Sequence, residues 1–284
     1  MVLKGFAITS WVWSSDFRSN DFEAFRKASE FGFDAIEILT MDGVLDSAEI
    51  RNVLNSTSPR LSPIITGAGS SQTDLTSDDV TITKNGSEYV KRLVKVCREL
   101  NGSLVCGPLS APVGILQYLS AAEREKILQR VVLSFKDLGK YAQDFGVSIA
   151  IEPLCRYDTH LINTTAQATD LVDKIDRDNV GLLLDTFHLN IEEKSIKDAI
   201  LKAGERLIHF HACENDRGTP GSGQINWDEV SDVLRTSGYD GWISIESFTP
   251  LEPNFSFATR VWRPLEPTQD EIAIKGLAFL KTIF

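Results

Sequence analysis

Val147-Ser-Ile-Ala-Ile-Glu152, Val180-Gly-Leu-Leu-Leu-Asp185, Leu207-Ile-His-Phe-His211 and Trp242-Ile-Ser-Ile-Glu246 are four short apolar runs. Each is closed by a side chain that can bind a hard metal ion. Side chains along a strand alternate faces, so Ala150 shares a face with Glu152, Leu183 with Asp185, His209 with His211 and Ser244 with Glu246. Laid parallel in one barrel, the four runs bring their polar ends to a single point above its mouth. Three carboxylates and an imidazole at one point repel each other and lose solvation unless a cation sits among them. The pattern therefore predicts a divalent ion at the C-terminal face of a parallel barrel, held by Glu152, Asp185, His211 and Glu246.

Outward from this stretch, strand and helix alternate throughout, with no composition break that marks a linker. Strands are expected at 4–9, 34–39, 61–67 and 103–107, ahead of the four ligand-bearing ones. Helix starts are signalled by capping pairs: Asn20 with Glu23, Ser120 with Glu123, Thr164 with Gln167, Asn226 with Glu229 and Thr268 with Glu271. Ser47 starts a short helix, Tyr89, Leu93, Val96 and Leu100 form the apolar stripe of another, and Ile196, Ala199, Ile200 and Ala203 that of a third. Glycines 32, 102 and 146 stop three of the helices. Eight strands and eight helices with short crossovers read as a single (β/α)8 TIM barrel over residues 1–284, a fold whose active sites lie at the C-terminal ends of the strands. A doubly wound sheet would want a Gly-rich phosphate turn after the first strand, and Thr9-Ser-Trp-Val-Trp13 is nothing like one.

Composition narrows the function. The chain has 284 residues, 42% of them hydrophobic and 24% charged, which is ordinary for a globular protein. Its formal net charge of −11 argues against nucleic acid as a partner. With no apolar run of spanning length and no leader pattern at Met1, a cytoplasmic protein with no membrane partner is expected. Cys97, Cys106, Cys155 and Cys213 form no C-x-x-C pair and read as packing residues.

The donor set of three carboxylates and one imidazole suits Mn2+, Mg2+ or Co2+, whereas Zn2+ more often recruits further His or Cys. Four protein ligands leave about two positions of an octahedron for substrate oxygens. His188, in Asp185-Thr-Phe-His188, is expected near the ion as a donor to a substrate oxygen. Arg217, six residues after His211, offers a fork of donors, and Asp158, six residues after Glu152, an acceptor. Each residue also has a duller reading: a carboxylate at a strand end caps the next helix, Arg217 is a solvated loop residue, Asp158 belongs to a turn. His209, one layer below His211, is expected to be hydrogen-bonded inside the barrel, and His160 to be structural.

These parts suggest a reaction. A cation bridging a carbonyl and the adjacent hydroxyl acidifies the proton on the hydroxyl-bearing carbon, because the anion left behind is an enediolate. Glu152 and Glu246 reach that carbon from opposite faces, so one removes the proton and the other returns it on the far side. The outcome is epimerisation.

At these residues the chain resembles the ketose 3-epimerases, the D-tagatose 3-epimerase and D-psicose (allulose) 3-epimerase family of the xylose-isomerase-like barrel superfamily. The resemblance is carried by Ile151-Glu-Pro-Leu, His160-Leu-Ile-Asn-Thr164, Leu184-Asp-Thr-Phe-His-Leu-Asn-Ile-Glu-Glu193, His209-Phe-His211 and Ile245-Glu-Ser-Phe248. Gly5, Trp11 and the run Gly32-Phe-Asp34 to Glu37-Ile38 look similar as well. It implies a Mn2+ or Co2+ site at Glu152, Asp185, His211 and Glu246, and exchange of the C3 proton by Glu152 and Glu246 through a cis-enediolate. It further implies contacts from His188 and Arg217 to the O1–O3 end of a small ketose, and a homodimer or homotetramer. The sequence departs from the family at Asp158, where Glu is usual, at Ser247, where Pro is usual, and at Ala7 and Ser15, where some members carry aromatics. A smaller or wetter wall there loosens discrimination, and Phe248 is the aromatic wall expected to remain. A 1,2 aldose–ketose isomerase or a cyclitol dehydratase fits the same residues, and a sugar-binding barrel without turnover is the non-enzymatic reading.

Overall fold

Eight strands pair in sequence order, all parallel, and the last pairs with the first to close a barrel. The computed structural model describes residues 3–15, 22–250 and 253–284. The strands are β1 (Gly5–Thr9), β2 (Ala35–Leu39), β3 (Ser62–Thr66), β4 (Leu104–Gly107), β5 (Ser148–Ile151), β6 (Val180–Asp185), β7 (Leu207–Ala212) and β8 (Trp242–Ile245). All eight expected strands are present, trimmed or extended by a residue or so at their ends.

The helices between them are α1 (Glu23–Phe31), α2 (Ser47–Thr57), α3 (Val80–Glu99), α4 (Ala121–Asp144), α5 (Thr165–Ile175), α6 (Thr186–Glu192), α7 (Ile196–Ala203), α8 (Trp227–Thr236), α9 (Pro253–Thr259) and α10 (Gln269–Ile283). Ser120 and Glu123 form a reciprocal capping box on α4, and Thr164 and Gln167 do so on α5. The side chains of Asn226 and Thr268 accept the backbone N–H three residues on, as their spacing predicts. Asn20 lies outside the described residues. The expectation of eight helices needs correcting among the described residues: α6 and α9 are additional, short helices in the loops after β6 and β8. α6 has no separate starting signal because its N-cap is Asp185 itself, whose Oδ1 accepts the Phe187 N–H at 2.8 Å.

Alternation sorts the strand residues into two cores. Ile8, Ile36, Ile65, Val105, Ile149, Leu182, Phe210 and Ile243 face outward, buried under Phe25, Leu93, Phe135 and their neighbours on the helices. Ala7, Ala35, Ile64, Leu104, Cys106, Ala150 and Leu183 fill the barrel interior. Ala7 is fully buried in the barrel, whereas Ser15 is half-buried. Above this interior plug the inward side chains turn polar, and that change of character places the site. Among the described residues no helix is long and apolar enough to cross a membrane.

Gly107, at the end of β4, has φ 120°, and a Cβ there would overlap the Gly67 carbonyl oxygen. Gly107→Ala is expected to lower the unfolding free energy by about 1–3 kcal/mol in urea denaturation. Gly114→Ala, at φ 78° but in open space, should cost less; equal losses would show that crowding against Gly67 is not the cause.

Candidate active site

Asp185 ends β6 and His211 lies near the end of β7, paired in register with it. Glu152 and Glu246 each follow the last residue of their strands, β5 and β8. All four are buried, and one donor atom from each falls within 4.8 Å of the others. The register of a closed parallel barrel brings these four strand tips together, as the alternation pattern predicts.

Burial and mutual repulsion shape the ionisation of the group. Burial, followed by the charge of Glu246, pushes the Glu152 carboxyl well above its usual range. Burial acts on Glu246 too, but the Arg217 guanidinium and His211 outweigh it and hold that carboxyl at about 2. One carboxyl therefore favours its proton while its neighbour stays ionised. Asp185 is raised by burial, with Arg217 opposing.

Arg217 is buried, and its Nη1 contacts both Asp185 Oδ2 and Glu246 Oε2. Its guanidinium lies over the Phe187 ring at 3.9 Å and over Phe248 at 5.0 Å. The loop that delivers it is built around the buried Glu214, which accepts from Trp227 Nε1 at 2.6 Å, Gly221 N at 2.9 Å and Ile225 N at 3.3 Å. Arg217 has φ 70°, and Ser247 Oγ donates to its carbonyl at 2.7 Å. The solvated-loop reading of Arg217 is wrong: the side chain is part of the carboxylate cluster.

His188, on α6, places Nε2 3.8 Å from Glu152 Oε1 and 3.9 Å from Asp185 Oδ2. The Cys155 N–H meets its Nδ1 at 3.0 Å and Arg217 Nη2 lies 3.0 Å from Nε2. Both ring nitrogens face donors, and burial together with the Arg217 charge pushes its pKa to about 3. Asp158 stands at the edge of this group, half-buried, its Oδ2 accepting from Cys155 Sγ at 3.3 Å. Its carbonyl accepts from Gly114 N at 2.8 Å, and His160 Nδ1 lies 2.9 Å from the Ile115 carbonyl, so the loops after β4 and β5 are fastened together. His160 has the structural place expected of it. Phe248 stacks on Trp11 with rings 6.2 Å apart and 15° from parallel.

Below the cluster lies a residue that sequence reasoning did not single out as functional. Glu37 of β2 is fully buried; its Oε1 meets His209 Nε2 at 2.7 Å, and its Oε2 meets His211 Nε2 at 3.1 Å. His209 thus has the interior hydrogen-bonded place expected of it. The signal was present: Glu37 is a lone charged residue in an apolar strand, on the inward face with Ala35.

The donor set fits a divalent cation. His211 Nδ1 is buried with no hydrogen-bond partner, although Glu246 Oε1 is only 3.3 Å away. Burial opposes charge on this ring, but the charges of Glu37 and Glu246 outweigh it and hold the imidazole well above its usual range. A bare nitrogen beside three carboxylate oxygens is what a hard or borderline ion requires.

The comparisons with known proteins identify the family. A family model described as the xylose isomerase-like TIM barrel matches residues 25–283. The chain is 32% identical over 280 residues to a probable ketose 3-epimerase of Synechocystis sp., covering 98% of this chain and 96% of that one. It is 33% identical over 274 residues to an L-ribulose 3-epimerase of Methylomonas sp., covering 95% and 94%. A crystal structure of D-allulose 3-epimerase from Methylomonas sp. in complex with D-allulose matches with TM-score 0.93 and 30% identity, covering 100% of this chain and 99% of that one. The chain belongs to the xylose isomerase-like TIM barrel family and, within it, to the ketose 3-epimerases, which are isomerases.

Proposed function

We propose that this protein epimerises free ketoses at C3 with the help of one divalent ion, Mn2+ before Co2+ or Mg2+, held by Glu152, Asp185, His211 and Glu246. The observation that carries the reading is the convergence of three buried carboxylates and a partnerless imidazole nitrogen within one 4.8 Å group. The relatives named above act on ketoses of this class, which supports D-fructose, D-psicose, D-tagatose and L-ribulose as the substrates to try. When bound, the ion supplies a Lewis acid for the carbonyl and its neighbouring hydroxyl.

The chain's own residues do the rest. Glu246, held ionised, takes the C3 proton, and the C–H electron pair passes into a cis-enediolate. Glu152, whose carboxyl favours its proton, delivers one to the opposite face of C3. The reverse epimerisation exchanges the two roles. Positioned acid–base groups of this kind contribute about 10²–10⁴-fold. Arg217 and His188 hold the O1–O3 end of the sugar, Phe187 and Phe248 offer it an apolar face, and Asp158 accepts from a hydroxyl. Subunits associate as a homodimer or homotetramer.

Incubation with the four ketoses, Mn2+ and D2O should yield the C3 epimer with deuterium at C3. Label at C1 or C2 instead would identify a 1,2 isomerase, and no exchange at all would leave a binding protein. Chelation should abolish turnover and added Mn2+ restore it. Glu246→Gln should lower kcat by about 10²-fold or more and weaken metal binding as well; a variant of near wild-type activity would contradict the assignment. Asp158→Ala should raise KM more than it lowers kcat, since a residue that only binds substrate acts equally on ground and transition states. A fall in kcat at constant KM would move Asp158 into the chemistry.

A further inference from the structure

We infer that Glu37 is a positioning residue for the metal centre: its carboxylate holds the Nε2–H of His211 from beneath and so presents Nδ1 as the ligand nitrogen. The inference rests on reading His211 as one of the four ligands.

The contacts around Glu37 leave it one role. Oε1 lies 2.7 Å from His209 Nε2 and 3.2 Å from His211 Nε2. Oε2 lies 3.1 Å from His211 Nε2, 2.9 Å from Thr66 Oγ1 and 3.5 Å from Cys106 Sγ. Thr66 Oγ1 and Cys106 Sγ donate to it, and an ionised carboxylate, which only accepts, calls for the proton of each imidazole on the Nε2 that faces it. A neutral imidazole with its proton on Nε2 carries its lone pair on Nδ1. In His211 that atom is buried, has no hydrogen-bond partner and lies 3.3 Å from Glu246 Oε1. Carboxylate, imidazole and ligand cluster thus stand in line, the order in which an outer carboxylate orients a metal-binding histidine and strengthens it as a donor.

Two alternatives are weaker on the same contacts. A purely structural Glu37 is an expensive choice, because a buried carboxylate costs more than an apolar residue of similar volume. Glu37, Cys106, His209 and His211 also bring donor atoms within 4.8 Å of one another. A second ion there would need both Nε2 atoms stripped of their protons and His211 ligating through both nitrogens.

Calorimetric titration with Co2+, read alongside the Co2+ absorption spectrum, tests the inference without turnover. Glu37→Gln keeps the shape and removes the charge, and should weaken Co2+ binding about 10–100-fold and alter the spectrum. Glu37→Asp keeps the charge one methylene further back and should recover part of the affinity. It also serves in place of Glu37→Gln should that variant fail to fold, with Co2+ binding still weaker than wild type. Nitrogen-15 histidine spectra of the wild type loaded with Mg2+ should show His211 protonated on Nε2. Wild-type affinity and spectrum in the folded variant, a proton on Nδ1, or two bound equivalents of Co2+ would each overturn it. A wild type that binds Co2+ but forms no C3 epimer would refute the proposed activity and leave the Glu37 assignment standing. A wild type that binds no ion would refute both.

Discussion

Three carboxylates share one buried point in this barrel, and their repulsion is the constraint to which the rest of the site answers. Two like charges roughly 4 Å apart repel by about 4 kcal/mol at an effective dielectric of about 20. Glu152, Asp185 and Glu246 are all buried, so water relieves little of this. The site answers by drawing in positive charge. Arg217 reaches down between Asp185 and Glu246, and the His211 ring lies between Glu246 and Glu37. The same field drives the carboxyls apart in acidity, leaving Glu152 protonated more readily than Glu246.

The barrel meets this constraint by layers. An apolar plug that includes Ala35, Ile64, Ala150 and Leu183 closes the interior below. Cys106 of this plug, with Thr66 and His209, surrounds Glu37, and the carboxylate cluster follows. Loops form the top layer, with Glu214 gathering the backbone and indole N–H groups that shape the turn carrying Arg217. A buried polar layer is tolerable only when its members satisfy one another, since each unpaired group there costs far more than at the surface. Such a layer is also stiff, and stiffness is what a metal-binding geometry needs.

The parts of this arrangement legible in the sequence were the local ones. Apolar runs ended by Glu, Asp, His and Glu gave both the strands and the four converging residues. Caps such as Ser120 with Glu123 depend on side chains three residues apart and could be read directly. What escaped depends on distance in the chain. Glu37 is 174 residues from His211, and until the register of β2 and β7 is known it is one acidic residue in an apolar strand. In sequence Arg217 suggests a substrate contact, but its contact with Asp185, 32 residues away, follows from the turn around Glu214. Helix α6 was missed because Asp185 does two things. In sequence it reads as either a helix cap or a ligand, and in the fold its Oδ1 caps Phe187 while its Oδ2 faces Arg217.

This division between barrel and loops has a consequence for substrate choice. The groups assigned to the proton transfer and to the ion stand at strand ends, in a frame fixed by eight paired strands. The groups assigned to the sugar stand on the turns after β5, β6, β7 and β8: Asp158, Phe187 and His188, Arg217, and Phe248. Those turns are fastened to one another, by Cys155 N–H to His188 and by Ser247 to the Arg217 carbonyl. A change in one of them re-aims a hydroxyl contact or an aromatic face without disturbing the strand register beneath. An apolar wall distinguishes substrates by only about 1–3 kcal/mol per methylene, while a buried polar group left unpaired costs more. In the proposed activity, the polar contacts of Asp158, His188 and Arg217 would therefore weigh more in the choice among ketoses than the bulk of Phe187 or Phe248.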